Sequence, residues 1–459
     1  MRLDSFFFTK EFLNDEKIIE KQAHISIRET QAVLRSFGAY SLNNEVSYLS
    51  EGIPFIRGVN LKNGIIQFDD LIYISEDAHK LLWKSEVKPE TVLLSMSGTI
   101  GEVAIALPEY SYPMNSNQDI AKIDFNGNFN PYFAYIFLLS KYGQNYLRRE
   151  ARGSVQQHVF LSQIENFKLP VLTIKFQERI EIIVKDIHYK LKKSATKYSK
   201  AEKLLLSELD LENFNPASEK VSIKTLKESF LKTGRLDSEY YQSKYDEYLK
   251  KVFSYSNGYE LLGECCTIKD KNFMPKDEEE YRYIELANVR NNAQISDCDV
   301  LLGKELPTRA RRKVNTGDVI VSSIEGSLES CALITEEYNN SLCSTGFYVV
   351  NSEKMNSESL LTVFKSSLML NLMKKGCSGT ILTNIVKEEF EKLPIPLLKQ
   401  GVQDEIASYI KQSMEYSKKA KELLEISTKS VEIAIDKDEQ TAYNFFRTEQ
   451  NRTGSNCLL

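Results

Sequence analysis

Arg2-Leu3-Asp4-Ser5 returns, letter for letter, as Arg235-Leu236-Asp237-Ser238, and Lys168-Leu169-Pro170 returns as Lys392-Leu393-Pro394. Each Lys-Leu-Pro is followed by a few apolar residues, a glutamine (Gln177, then Gln403) and a charged stretch of helical composition. The offset between copies stays between 219 and 233 residues. That is far longer than the roughly 20–50-residue period of a solenoid. The chain therefore reads as two domains of one kind in tandem, suited to one ligand with two similar parts or to two copies of one partner.

Side by side, the copies share an order of elements. Each opens on an aromatic stretch, Phe6-Phe7-Phe8 with Phe12, then Tyr240-Tyr241 with Tyr245 and Tyr248. The run Ile53–Asn60 corresponds to Tyr281–Asn288. A hairpin signal follows: Thr91-Val92-Leu93-Leu94-Ser95 and Val103-Ala104-Ile105-Ala106 flank the glycine-bearing turn Ser97-Gly98-Thr99-Ile100-Gly101. In copy two, Asp318–Ser322 and Cys331–Ile334 flank Ile324-Glu325-Gly326-Ser327. Neither turn carries the Lys-Ser/Thr of a phosphate-cradling loop, and no clear helix follows, so both read as plain turns. Next comes a helix, capped in copy one by Asn130 ahead of Pro131 and starting near Ser357 in copy two. Each is expected to end in a basic loop, Arg148–Ser154 and Lys374–Thr380.

The charged tails carry a 4-3-4-3 spacing: Ile180, Val184, Ile187, Leu191, Ser194, Tyr198, Ala201, Leu205, then Ile406, Ile410, Ser413, Ser417, Ala420, Leu424, Ser427, Val431. Gln177 to Ala201 counts 24 residues and Gln403 to Ala420 counts 17, a difference of one heptad that leaves the apolar seam facing the same way. Residues 175–209 hold nine Lys/Arg against five Asp/Glu, and residues 399–440 hold seven against nine. Opposite net charge and a matched seam favour the two helices lying against each other, through Ile180, Val184, Ile187, Leu191, Tyr198 and Leu205 on one and Ile406, Ile410, Leu424 and Val431 on the other.

Composition narrows the setting. No apolar run approaches the ~18 residues of a membrane span, and Phe6-Phe7-Phe8 is too short for a signal-peptide core. All seven cysteines fall in copy two or its tail, so the shared fold needs no cystine and a reducing cytoplasm is the expected home. A net charge of −5 argues against coating nucleic acid by charge alone but leaves room for local basic patches.

Two β-rich modules, each closed by a Leu-Pro and a long charged helix, resemble the specificity subunit of type I restriction–modification enzymes. The resemblance rests on Ser97-Gly98-Thr99-Ile100-Gly101, Asn117-Gln118, Gly153-Ser154-Val155-Gln156-Gln157, the two Lys-Leu-Pro turns with Gln177 and Gln403, and Ala201-Glu202-Lys203-Leu204-Leu205. It covers the chain from Arg2 to about Ile435; copy two departs from it where Ile100-Gly101 has no clear counterpart. The resemblance implies an α+β fold of two tandem target-recognition domains, with the helices paired as an antiparallel coiled coil about a pseudo-twofold. Boundaries are expected at 1–172 and 213–398 for the domains, 173–212 and 399–436 for the helices, and 437–459 for a polar tail. It further implies a non-catalytic subunit that reads a bipartite site in double-stranded DNA, one half per domain. Two methyltransferase subunits, which carry the S-adenosylmethionine, would dock on it, and restriction subunits where the assembly cuts, in defence against phage. No cofactor or metal is expected in this chain. A helix of ~34 residues at 1.5 Å per residue spans ~50 Å, enough to separate two half-sites by an unread spacer.

Base reading calls for Arg, Lys, Asn or Gln on loops, and phosphate contact for basic or small polar residues. Copy one offers Arg57, Asn60, Lys62 and Asn63, then Arg148, Arg149, Arg152, Gln156, Gln157 and His158. Copy two offers Asn288 and Arg290, the dense cluster Thr308, Arg309, Arg311, Arg312 and Lys313, and the pair Lys374 and Lys375. Two other classes stay open. A single-chain DNA methyltransferase or restriction enzyme needs a catalytic motif, and Asn130-Pro131-Tyr132 lacks the second proline of the adenine-methyltransferase signature. A pure coiled-coil scaffold accounts for the helices but not for two β-rich modules with basic loops. His24, His79, His158 and His188 show no metal or triad spacing.

Overall fold

The computed structural model describes residues 4–36, 46–68, 70–153, 157–216, 219, 221–289, 292–296, 298–378, 383–455 and 457. The chain divides into two compact units, Met1–Leu191 with Lys418–Leu459, and Lys192–Ser417. Each unit holds one β-rich module and part of each long helix, α1 (Ile174–Glu208) and α2 (Gln400–Asp436).

The modules repeat strand for strand. In unit 1 a mixed sheet runs Ile72–Ile74, Ile53–Ile56, Met114–Ser116, Glu86–Val87, and an antiparallel sheet runs Val33–Arg35, Ile120–Asp124, Val92–Ser95, Val103–Ile105. In unit 2 the corresponding orders are Asp299–Leu302, Glu280–Ile284, Leu342–Ser344, Ala310–Lys313, and Thr267–Ile268, Phe347–Asn351, Val319–Ser322, Cys331–Leu333. The expected hairpins are present, with Gly98 and Gly101 of the first turn at φ +71° and +98°.

The strand Val92–Ser95 is buried throughout because it is covered on both sides. Val92 and Leu94 face the cluster that contains the helix Pro131–Leu139, and Leu93 faces the other sheet beside Ile56 and Ile120. Double coverage explains why this strand reads as a continuous apolar run instead of an alternating one. Unit 2 repeats the division, with Val319 and Val321 on one side and Ile320 on the other.

Asn130 caps its helix as expected, its side chain accepting from the Phe133 N–H, and Asn356 does the same ahead of Ser357–Lys365. Two expectations change. Arg148 and Arg149 end a further helix, Lys141–Glu150, and Lys374 and Lys375 end the helix Ser367–Gly376, so neither pair sits in a loop. The first Lys-Leu-Pro is a strand, not a turn: Lys168–Pro170 pairs antiparallel with His24–Ser26, and Pro394–Pro396 pairs with Tyr259–Leu261.

Within each unit the two long helices pack closely. In unit 1, Ile180, Val184 and Ile187 share a core with Ala420, Leu423, Ile426 and Val431, and Leu191 and Leu424 lie at its margin. In unit 2, Ala201 and Leu205 pack with Ile406 and Ile410, and Tyr198 borders them. The direction is antiparallel: Ser194 meets Ser413, Lys197 and Lys200 lie over the Tyr409 ring, and Glu208 reaches Lys399 at 3.1 Å. Ser194 and Ser413 bond reciprocally, each Oγ donating to the other's carbonyl at 2.8 Å. Two small polar residues thus let the backbones approach where larger apolar ones would hold them apart.

The polar tail contains a third helix, α3 (Glu439–Thr453), capped by Asp438. It buries Ala442 and Phe446 in the unit 1 core, with Tyr443 and Phe446 against Phe176.

Candidate nucleic-acid interface

In unit 1 the strands Ile53–Ile56 and Met114–Ser116 run parallel and finish at the same sheet end. From there the chain enters a 3-10 turn, Gly58–Asn60, held by the Asn60 side chain, whose Oδ1 accepts the Arg57 N–H at 3.0 Å. The Ser97–Thr99 turn closes over it: Thr99 Oγ1 donates to the Gly58 carbonyl at 3.4 Å, and an added Cβ at Gly58 would press on Ser95 Oγ at 3.3 Å. Arg152, His158 and Val159 complete the corner. Arg152 and His158 exchange backbone hydrogen bonds, His158 bridges to Ser97, and the Val159 N–H donates to the Met96 carbonyl at 3.0 Å. Residues 57–60, 96–99 and 158–159, distant in sequence, therefore converge at one place.

Unit 2 builds the same corner. The turn Leu286–Asn288 is held by Asn288 Oδ1, which accepts the Glu285 N–H at 2.7 Å. Ile324 bridges to Asn384, and the Ile385 N–H donates to the Ser323 carbonyl at 2.9 Å. The side chains differ in charge. Glu285 stands where unit 1 has Arg57, and Glu325, accepting from Thr383 Oγ1, stands in the turn that carries Gly98 in unit 1. Arg309 reaches Glu285 at 3.3 Å, which brings the basic cluster to this corner.

The remaining sequence-derived residues divide by surroundings. Lys62, Asn63, Arg148, Arg152, Gln157, Thr308, Arg309 and Lys313 are exposed, and Arg57, His158, Arg311 and Lys374 are half-buried. Arg57 donates to the Asp70 carbonyl through Nη2, while its Nε and the Oδ1 of Asn117 are buried with no hydrogen-bond partner among the described residues. Gln156 and Arg290 lie outside the described residues.

Five candidates have side chains engaged within the fold. Asn60 and Asn288 spend their carbonyl oxygens on the 3-10 turns. Arg149 is buried, donates to Glu16 and the Phe7 carbonyl, and lies 4.2 Å from the Phe7 ring centroid. Arg312 donates to the Asp270 carbonyl and to Asn272. Lys375 packs over Tyr240 near Asp246, and burial lowers its pKa. A charged residue and its buried partner cannot be told from a solvent-facing charge by type alone.

Sequence reasoning missed two features here. Leu61–Lys62 and Ile65–Ile66 form a hairpin across Asn63-Gly64, a dipeptide that signals such a turn. Trp83, the only tryptophan, is 63% exposed. Among the described residues there is no group of three or more His, Cys, Asp or Glu side chains placed to hold a metal, and no helix long and apolar enough to cross a membrane.

The family model for the type I restriction modification DNA specificity domain matches this chain twice, over residues 34–203 and 259–428. The chain belongs to that specificity family. Both matches take in one β-rich module with the long helix that follows it, while α3 lies beyond the second. The S subunit of a type I restriction–modification system from M. genitalium is similar over 90% of this chain and 95% of its own, at 13% identity and a TM-score of 0.41. The HsdS subunit from Thermoanaerobacter tengcongensis is 13% identical over 91% of this chain and 97% of its own, with a TM-score of 0.29.

Proposed function

We propose that this member of the specificity family reads a bipartite site in double-stranded DNA, one half with each β-rich module, in the cytoplasm. Two methyltransferase subunits carrying S-adenosylmethionine dock on it, restriction subunits join where the assembly cleaves, and this chain performs no catalytic step. One observation carries the reading: the same three-loop corner recurs in both units with Glu285 in the place of Arg57. A constant frame with variable reading groups suits two unlike half-sites.

The chemistry follows from the groups present. Arg57 and Arg152 suit acceptor edges of guanine and phosphate oxygens. Glu285 and Glu325 suit exocyclic amino groups, with Arg309 beside them for phosphate. The test mixes the full chain with labelled S-adenosylmethionine and duplex DNA, alone and then with its methyltransferase partner. Site-specific transfer only in the second mixture supports the reading. Transfer by the chain alone, or no effect of the chain on where the partner methylates, rejects it.

A further inference from the structure

Trp83 carries an inference that rests on the DNA-reading proposal. It precedes the edge strand Glu86–Val87, which runs antiparallel to Met114–Ser116 with Glu86 opposite Asn115. Trp83–Ser85 forms a 3-10 turn just ahead of that strand, at the sheet end from which the Arg57–Asn60 turn emerges, with Ser85 buried and Trp83 outward. Arg35 holds this segment in place, donating to the Lys84 and Glu86 carbonyls at 3.3 and 2.9 Å.

Unit 2 shows what stands at the matching position. Its edge strand Ala310–Lys313 pairs with Leu342–Ser344, with Lys313 opposite Leu342 and a bulge between Ala310 and Arg312. Glu86 corresponds to Lys313. Ahead of the matched residues the two modules differ: Trp83–Ser85 is a 3-10 turn, whereas unit 2 continues as strand back to Ala310, with Arg309, 60% exposed, just before it at the loop corner. The first module thus presents an exposed indole ahead of its edge strand and the second an exposed guanidinium.

We infer that Trp83 is a DNA-contacting residue of the first module, its indole packing against a base edge or deoxyribose of the first half-site. Leaving a large aromatic 63% exposed on a rigid segment suits a surface that another molecule covers. The setting favours a polyanion: the Lys84 ammonium lies 5.3 Å from the Trp83 ring centroid, and Arg57 and Arg152 belong to the corner at the same sheet end. A flat ring with a cation over it matches a sugar or base flanked by phosphate.

A single tryptophan makes the test direct. The full chain, assembled with its methyltransferase partner, is titrated with an unmethylated synthetic duplex carrying the split motif found methylated in the host genome. Trp83 emission in a tryptophan-free partner background is read alongside the anisotropy of labelled DNA. Expected are quenching that saturates with binding, at least about tenfold weaker binding for Trp83→Ala with unchanged thermal unfolding, and substantial recovery in Trp83→Phe. The loss should appear with the first half-site intact and vanish when that half is scrambled. DNA binding with unchanged emission and unweakened Trp83→Ala overturns the inference and leaves the recognition reading standing. Emission that responds to the partner subunit and not to DNA overturns it in favour of a protein contact. Absence of any site-specific DNA binding by the wild-type assembly removes the reading and the inference together.

Discussion

Lys122→Met should stabilise unit 1, and the gain should shrink as pH rises. Lys122 is fully buried in the strand Ile120–Asp124, its Nζ donating only to Ser116 Oγ at 2.8 Å among the described residues. Burial, reinforced by Arg35 and opposed by Asp124, lowers its pKa from 10.5 to about 7. An ammonium that loses most of its hydration and gains one hydroxyl opposes folding. Between about pH 7 and pH 10.5 the folded chain binds fewer protons here than the unfolded chain, so stability climbs with pH across that window. A displacement of about 3.5 pH units corresponds to roughly 5 kcal/mol of opposition in acid, about 4 at neutral pH and about 2 near pH 9. Unit 2 supplies a natural control, since Val349 holds the matching place, opposite Ile320 as Lys122 is opposite Leu93. The assay is urea unfolding of wild type and Lys122→Met at about pH 7 and pH 9, following the transition that the substitution moves. A stabilisation of about 4 kcal/mol that narrows to about 2 is expected. A gap that stays constant with pH, or a destabilised variant, refutes the reasoning.

Three further outcomes follow from buried groups. His188 is buried on α1, which lowers its pKa to about 4, so the stability it permits is whole above about pH 6.5 and is lost as pH falls towards 4. His188→Leu should recover roughly 2.5 kcal/mol of the acid loss by about pH 4.5 in unfolding curves, and an unaltered acid limb contradicts this. Arg149→Ala should cost about 2 kcal/mol by removing a buried guanidinium that bonds Glu16 and the Phe7 carbonyl, with no change in the salt slope of DNA binding, whereas Arg152→Ala should flatten that slope and leave stability alone. Phe446→Ala should release α3 at a cost of about 3 kcal/mol, seen as faster hydrogen exchange across residues 439–453 while the β-rich modules keep their protection.

Repetition made the architecture legible in one sequence. Arg-Leu-Asp-Ser and Lys-Leu-Pro appear twice, and the one-heptad difference between the tails announces two helices whose seams face alike. Periodicity is a property of the chain itself, so the apolar stripe through Ile180, Val184 and Ile187 could be read before any partner was seen. The tail was not readable in this way. Ala442 and Phe446 give α3 a short apolar face among polar residues, and the face has meaning only once Phe176 is known to lie beneath it.

The site followed the same division. Composition picked out Arg149, Arg152, Arg309 and Arg312 alike, because each is an arginine in a basic stretch. Tertiary structure separated them: Glu16 claims Arg149 and Asn272 claims Arg312, while Arg152 and Arg309 stand at the converging loops. Local pattern along the chain sets which segments become helix and strand, since those choices depend on neighbours a few residues away. Whether a charge faces water, a partly buried carboxylate or a ligand depends on residues 24 to 133 positions distant, and only folding brings them within reach.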